Sequence, residues 1–334
     1  MRAVPLARCV FLMPFVSILD GAGAPSRKLL DEFRLPTHPQ DKIDDYMPLL
    51  PALRFMTTAQ HSQGIKDFGF LAARQMSFKT LSERMKTAVR HSPSLFVALQ
   101  HWCRLVQLEG NLMHAWLEQD EHVVRICSAI AGTAGMPHLE HAQWVQNLMP
   151  ICIVREFAAP KWAPATFAFQ ARYTPSAATQ AVWPNTRFLA GQSASWIDVP
   201  VSHLSLLNPT EFGAPDPQAQ EFVPIGTDMI TTLNLLLPAY LGERVPNIRE
   251  VAEITGTSVR SLQRELALAD LTFSDLVDQV RFRKSAELLR QQDIKIIDVA
   301  YATGYTDPAH FARAFRRIAG VTPREFRQNT RTAP

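Results

Sequence analysis

A chain of 334 residues, 47% hydrophobic and 19% charged, is long enough to bury a sizeable core and to divide into two domains, which excludes wholesale disorder. A net charge of +3 with a pI near 8.7 is too mild to announce a nucleic-acid partner, so charge has to be read locally. The four cysteines, Cys9, Cys103, Cys127 and Cys152, form no Cys-x-x-Cys pair and read as reduced, mostly buried thiols of a cytoplasmic protein; no apolar run reaches the roughly 18 residues that span a bilayer.

At the start, Arg2 and Arg8 precede an apolar run over 9–19 and small residues over 21–24, a pattern that imitates a secretory signal. It is not read as one: Val10, Met13 and Phe15 lie close to helical spacing, and the C-terminal third described below belongs to a protein with no use for export. Residues up to about 107 look mainly helical, with Leu71, Met76, Leu81, Met85 and Val89 at near-helical intervals. Runs 112–118 and 122–130 flank the polar break Gln119-Asp120-Glu121 and predict a hairpin, followed by a helix over 138–153. Further β-prone runs at 166–170, 187–189 and 195–201 make the first domain, residues 1–207, α+β. His138-x-Glu140-His141, with Cys103 near His101, offers metal-ligating types, but two histidines three apart on a helix are more often a polar face, and no metal is expected. Trp162, Trp183 and Trp196 read as core packing before ligand stacking. Residues 208–225, with Pro209, Pro215, Pro217, Pro224 and Gly213, have the composition of an irregular linker.

Residues 226–334 repeat themselves. Val251-Ala252-x-x-Thr255-Gly256 is answered by Val299-Ala300-x-x-Thr303-Gly304, and Leu262-x-Arg264-x-Leu266 by Phe311-x-Arg313-x-Phe315, with one extra residue in the second turn. Each copy reads as a helix-turn-helix, over about 247–267 and about 295–317. Ile248, Val251 and Ala252, or Ile296, Val299 and Ala300, have the i, i+3, i+4 spacing of a core-facing helix. Gly256 and Gly304 sit where a helix ends in the left-handed conformation that only glycine adopts without steric cost. Ser258 caps the next helix of the first copy, and Asp307 with Pro308 that of the second. Asn247 with Glu250, Thr272 with Asp275, and Thr322-Pro323-Arg324-Glu325 predict capping boxes, the middle one opening a linker helix over about 272–290 with Leu271 and Leu276 as a hydrophobic staple. Such a helix spans roughly 25 Å at 1.5 Å per residue. It can hold two reader helices in successive major-groove faces about 34 Å apart.

The run Gly304-Tyr305-x-Asp307-x-x-x-Phe311-x-Arg313-x-Phe315-Arg316-Arg317-x-x-Gly320-Val321-Thr322-Pro323-x-x-Phe326-Arg327 resembles the signature of the AraC/XylS family of bacterial transcription regulators. The likeness covers about 226–327, including a helix over 227–241 placed before the first reader, and more weakly the effector domain of one branch of that family. It implies an α+β N-terminal effector domain followed by an all-α C-terminal domain with two helix-turn-helix units joined by a linker helix. It also implies an activator responding to a small-molecule effector, a homodimer on promoter DNA, an exposed acidic face for RNA polymerase, and no membrane partner. Two departures stand out: Pro308 and Ala309 replace polar types common in relatives, and Pro238 should kink the helix it interrupts.

On the first reader Arg260, Gln263 and Arg264 share a face opposite Leu262 and Leu266, and suit guanine and adenine edges, against the plainer reading of a solvated helix face. On the second, His310 and Arg313 are the candidates, Arg313 the stronger. Arg281, Arg283, Lys284, Arg316, Arg317 and Arg327 suit phosphates, which fix register and carry no sequence information. No nucleophile elbow, phosphate loop or dinucleotide fingerprint is present, so neither catalysis nor a cofactor is expected, and the scattered thiols do not suit the zinc-dependent methyl-transfer proteins that share this reader fold. The effector site is not legible; the rival to a sensor is a ligand-independent DNA binder whose first domain only dimerises or binds a protein.

Overall fold

The structure, a computed structural model, describes residues 4–209, 225–226, 228–291 and 294–331, with Arg331 described by its backbone alone. The chain divides into two units, Met1–Thr227 and Asp228–Pro334. Nearly all of the linker expected at 208–225 lies outside the described residues.

In the first unit the apolar N-terminal run is core: Cys9, Phe11, Leu12, Phe15 and Leu19 are buried. Strand β1 (Leu6–Arg8) pairs antiparallel with β2 (Tyr46–Pro48), and helix α1 (Met13–Gly21) follows, with Pro14 tolerated in its first turn. Arg8 is no flanking surface charge. It is 4% exposed, donates to Glu109 Oε2 at 2.9 Å and to the Thr80 carbonyl at 3.0 Å, and reaches Asp44. Helices α2 (Ser26–Glu32), α3 (Leu49–Gln63), α4 (Phe68–Ala73), α5 (Glu83–Arg90) and α6 (Leu95–Leu105) make the mainly helical first part.

The hairpin forms as expected from β3 (Met113–Gln119) and β4 (Val123–Ile130). They enter a five-stranded sheet of order β3-β4-β7-β5-β6 with β5 (Thr166–Ala168), β6 (Arg187–Leu189) and β7 (Ser195–Pro200), antiparallel except for β5 beside β6. Helix α7 (Glu140–Phe157) packs against β4, β7, α4 and α6, while α8 (Ala177–Val182) is short. So enclosed is α7 that Gln143, Gln146 and Asn147 are buried with its apolar residues. Asn147 Nδ2 donates to Ser195 Oγ at 2.8 Å and to the Ala168 carbonyl at 3.2 Å, and Gln143 Oε1 accepts from the Ala171 amide at 3.1 Å.

The polar face expected around His138 and His141 does not exist. His138 has φ of 61° and precedes the helix, whereas His141 is 1% exposed with neither ring nitrogen hydrogen-bonded, edge-on to Phe15 and Phe68. The helix also runs on to Phe157, because Val154 and Phe157 continue its buried surface. The tryptophans buried outright are Trp102 and Trp144; Trp162, Trp183 and Trp196 are half-buried, with Trp183 stacked on Phe188 and Arg125 over Trp196. Burial pushes the Cys103 and Cys127 thiols up to about 12 and Cys152 to about 11, so at neutral pH they stay protonated and inert.

Every described element of the second unit is helical: α9 (Met229–Leu236), α10 (Ile248–Thr255), α11 (Val259–Ala267), α12 (Phe273–Arg290), α13 (Ile296–Ala302), α14 (Pro308–Ala319) and α15 (Pro323–Arg331). Pro238 does not kink a helix over 227–241. It ends one: α9 stops at Leu236 and gives way to a tight 3-10 turn, Leu237–Tyr240, with Pro238 in its opening positions, where a missing amide costs least.

Candidate nucleic-acid interface

The first helix-turn-helix is α10 and α11. Asn247 Oδ1 accepts from the Arg249 and Glu250 amides at 2.9 and 3.2 Å, and Glu250 Oε2 accepts from the Asn247 amide at 2.9 Å, so one reciprocal box satisfies three amides at the helix start. Val251 and Ala252 are buried, Ile248 half-buried, and Gly256 turns the chain with φ of 64°. Ser258 then caps α11 by accepting from the Ser261 amide at 3.1 Å. That helix buries only Leu262 and Leu266, against α9 and α10, leaving Arg260, Gln263 and Arg264 exposed.

The second is α13 and α14. Val299 and Ala300 are buried, and Gly304 makes the turn at φ of 82°. Asp307 accepts from the Ala309 and His310 amides at 2.9 and 3.2 Å, with Pro308 in the first turn. Phe311 and Phe315 are the buried stripe of α14, in one cluster with Leu289, Val299, Ala300 and Tyr305. Facing away, His310 and Arg313 are exposed, His310 edge-on to Tyr305 at 5.5 Å and Arg313 at 3.9 Å from Asp307. A left-handed Gly320 ends α14, and Thr322 with Glu325 opens α15: each accepts from the other's amide, at 3.2 and 2.7 Å, holding the Glu325 carboxyl below its usual range.

Helix α12 joins them. Its eighteen residues span about 27 Å at 1.5 Å each, and Thr272 with Asp275 caps it as the pattern predicts. Leu276 is fully buried while Leu271 is half-buried. The basic side chains on and near α12 differ in their surroundings. Arg281 lies over the Tyr305 ring at 5.1 Å and 3.9 Å from Asp278, and Arg317 donates to the same carboxylate at 2.7 Å. Arg283 donates to Asn234, and Lys284 sits 3.5 Å from Glu287. Arg316 is exposed; Arg327 is half-buried, its Nε and one terminal nitrogen enclosed without a hydrogen bond. Two parts of this arrangement escape the repeat pattern. Asp278 gathers Arg281 and Arg317 from two helices, and Gly242 at φ of 79° brings the turn after α9 against α13, where a β-carbon would lie 3.1 Å from the Ala302 carbonyl. The i, i+3 spacing of Asp278 and Arg281 and an isolated glycine after a proline were the only signals.

Comparison with known families matches residues 251–329 to a helix-turn-helix domain and residues 23–200, more than half the chain, to the N-terminal arabinose-binding domain of AraC transcription regulators. The chain belongs to the AraC family of transcription regulators. This AraC-family protein is similar, at 22% identity over 96% of both chains, to the HTH-type transcriptional regulator VirS of Mycobacterium tuberculosis. It also resembles the ornithine utilization regulator of Pseudomonas aeruginosa at 27% identity, over 40% of this chain and 41% of that one. Among solved structures it is similar to the transcriptional regulator CdpR of P. aeruginosa, at 18% identity and a TM-score of 0.41 over 91% of this chain and 96% of that one. The AraC-family regulator is thus a DNA-binding transcription regulator and not an enzyme, with an effector-type domain ahead of its readers. No helix among its described residues is long and apolar enough to cross a membrane.

Proposed function

We propose that residues 226–334 bind promoter DNA by laying α11 and α14 into successive major grooves. Arg260, Gln263 and Arg264 read bases at one half-site, and His310 and Arg313 at the other. Arg316 meets phosphate directly, Arg283, Lys284 and Arg327 lie along the backbone, and Arg281 and Arg317 do so while held by Asp278. Residues 1–207 bind a small-molecule effector and pair two copies of the chain. The effector's differential affinity for two arrangements sets how often both readers are presented together. The outcome is activation in the cytoplasm, with RNA polymerase met through acidic side chains away from the DNA.

One observation carries this reading: each reader spends only an apolar stripe on the core, Leu262 with Leu266 and Phe311 with Phe315, and leaves its polar face to solvent. The test is binding of a mapped operator and of random DNA by the chain with Arg264→Ala or Arg313→Ala. Losing a bidentate base contact should weaken operator binding by about 1–3 kcal/mol and leave random DNA almost unchanged. Equal losses on both would make these phosphate contacts. Residues 226–334 alone should bind DNA, and a folded fragment that does not would refute the division of labour.

A further inference from the structure

The first unit holds a partly open chamber of about 40 Å³ between the β1–β2 ribbon, the β3–β4 hairpin, α3 and α7. Its wall is nearly all apolar, and four of the chain's ten methionines, Met47, Met56, Met113 and Met149, line it. Two polar side chains reach the wall, Glu109 and Gln146. Glu109 is fully committed: Oε2 accepts from Arg8 at 2.9 Å and Oε1 from the Ser82 amide at 2.9 Å. Gln146 is not. It is 2% exposed, and its Nε2 is buried with no hydrogen-bond partner. A buried donor left unpaired is costly to a fold, so one placed here, on a residue that lines a cavity, marks a site for an acceptor.

We propose that this chamber is the ligand site of residues 1–207, and that it takes a small neutral molecule, mostly apolar, with one carbonyl or ether oxygen accepting from Gln146 Nε2. The inference rests on the reading of residues 1–207 as an effector domain. Neutrality follows from the charges present: among the described residues no cation lines the chamber, and Arg8, the partner of Glu109, is spent on Glu109, Asp44 and the Thr80 carbonyl. An anionic ligand would therefore be buried unpaired beside a carboxylate. Size follows from the volume. Apolar cavities that admit benzene measure roughly 150 Å³, so at 40 Å³ the chamber holds a few heavy atoms at most and has to widen to take a ligand of that size. Methionine supplies the way to open it: unbranched, with three rotatable bonds, its thioether moves between rotamers without leaving a polar group unpaired. Ligand entry thereby repacks β2, α3, β3 and α7 together, because each carries one of the four methionines. That shared repacking gives the two states between which an effector can discriminate.

The test titrates the full chain, labelled at its methionine methyl groups, with 2-pentanone and with its shape-matched alkene, 2-methyl-1-pentene, followed by NMR. Met47, Met56, Met113 and Met149 should shift saturably with the ketone, which should bind about fivefold more tightly than the alkene, the factor one ordinary hydrogen bond contributes. In Gln146→Leu the chamber should still fill, with that preference gone. Absence of saturable shifts, equal affinity of the unaltered chain for the two probes, or shifts centred on methionines elsewhere would each overturn the site. Because the comparison of ketone with alkene is made on the unaltered chain, it stands even where the variant does not fold. DNA binding measured on the same samples separates the two readings: a chamber that fills in a chain that ignores DNA sinks the regulator reading, and a DNA-binding chain whose chamber stays empty sinks only this site.

Discussion

Phe311→Ala is the sharpest probe of whether the second reader stands on its own core. Phe311 is 1% exposed and packs against Tyr305 and Phe315, with ring centroids 5.4 and 5.8 Å away. Truncating a buried phenylalanine costs about 3–5 kcal/mol, from lost burial and from the void left where α14 meets α12 and α13. A domain of this size has about 5–15 kcal/mol in all, so the loss is a large share of the second unit's stability. At a urea dependence of about 1–3 kcal/mol per molar, the midpoint should fall by about 2 M. The chain carries its own discriminating probe: all six tryptophans precede residue 228, so tryptophan fluorescence reports the first unit while far-ultraviolet circular dichroism sees both. Phe311→Ala should move a circular dichroism transition and leave the fluorescence transition in place, whereas Ile318→Ala, on the exposed side of α14, should change stability by less than about 0.5 kcal/mol. An unchanged midpoint in Phe311→Ala refutes the packing described; a fluorescence transition that moves with it refutes independent units.

Burial, with His138 and His61 nearby, lowers the His141 imidazole to about 4, against an unfolded value near 6.5. Between those values the unfolded chain binds a proton that the folded chain refuses, so this stability is whole above pH 6.5 and falls by about 3 kcal/mol as pH drops to 4. The stability difference between the unaltered chain and His141→Phe should therefore be flat above pH 7 and change steadily below 6, and a difference flat down to pH 5 would contradict it. Asp307→Ala removes the acceptor for two amides and should cost about 1 kcal/mol in the circular dichroism transition, with Asp307→Asn restoring most of it. Arg316→Ala should reduce the slope of log affinity against log salt by about 0.9, equally on operator and random DNA; an unchanged slope removes Arg316 from the phosphate contacts.

The second unit was legible because its decisive signals are local. A cap, a left-handed glycine and an i, i+3, i+4 apolar stripe act within a few residues of chain, and Asn247, Gly256, Ser258, Thr272, Gly304 and Asp307 each do in the structure what their types and spacing predict. The hairpin over β3 and β4 was legible for the same reason. His141 was misread because its surroundings are built from α1 and α4, far away in sequence, so a histidine expected on a wet face sits among phenylalanines. Pro238 was misread because a kink and a stop look alike until the packing of the following turn on α12 selects one.

The sequence by itself determined the helix-turn-helix repeat, its caps and turns, the family, and which polar side chains lie on the exposed faces of α11 and α14, since each depends on chain-local chemistry. Tertiary structure alone decided the sheet order, with β5 parallel to β6, the burial of Arg8 against Glu109, the sharing of Asp278 by Arg281 and Arg317, and the methionine chamber beside Gln146. Those features join residues from about 20 positions apart, as in β5 beside β6, to more than 100, for the loop-closure cost of bringing distant segments together grows only slowly with separation and writes no pattern into the intervening chain.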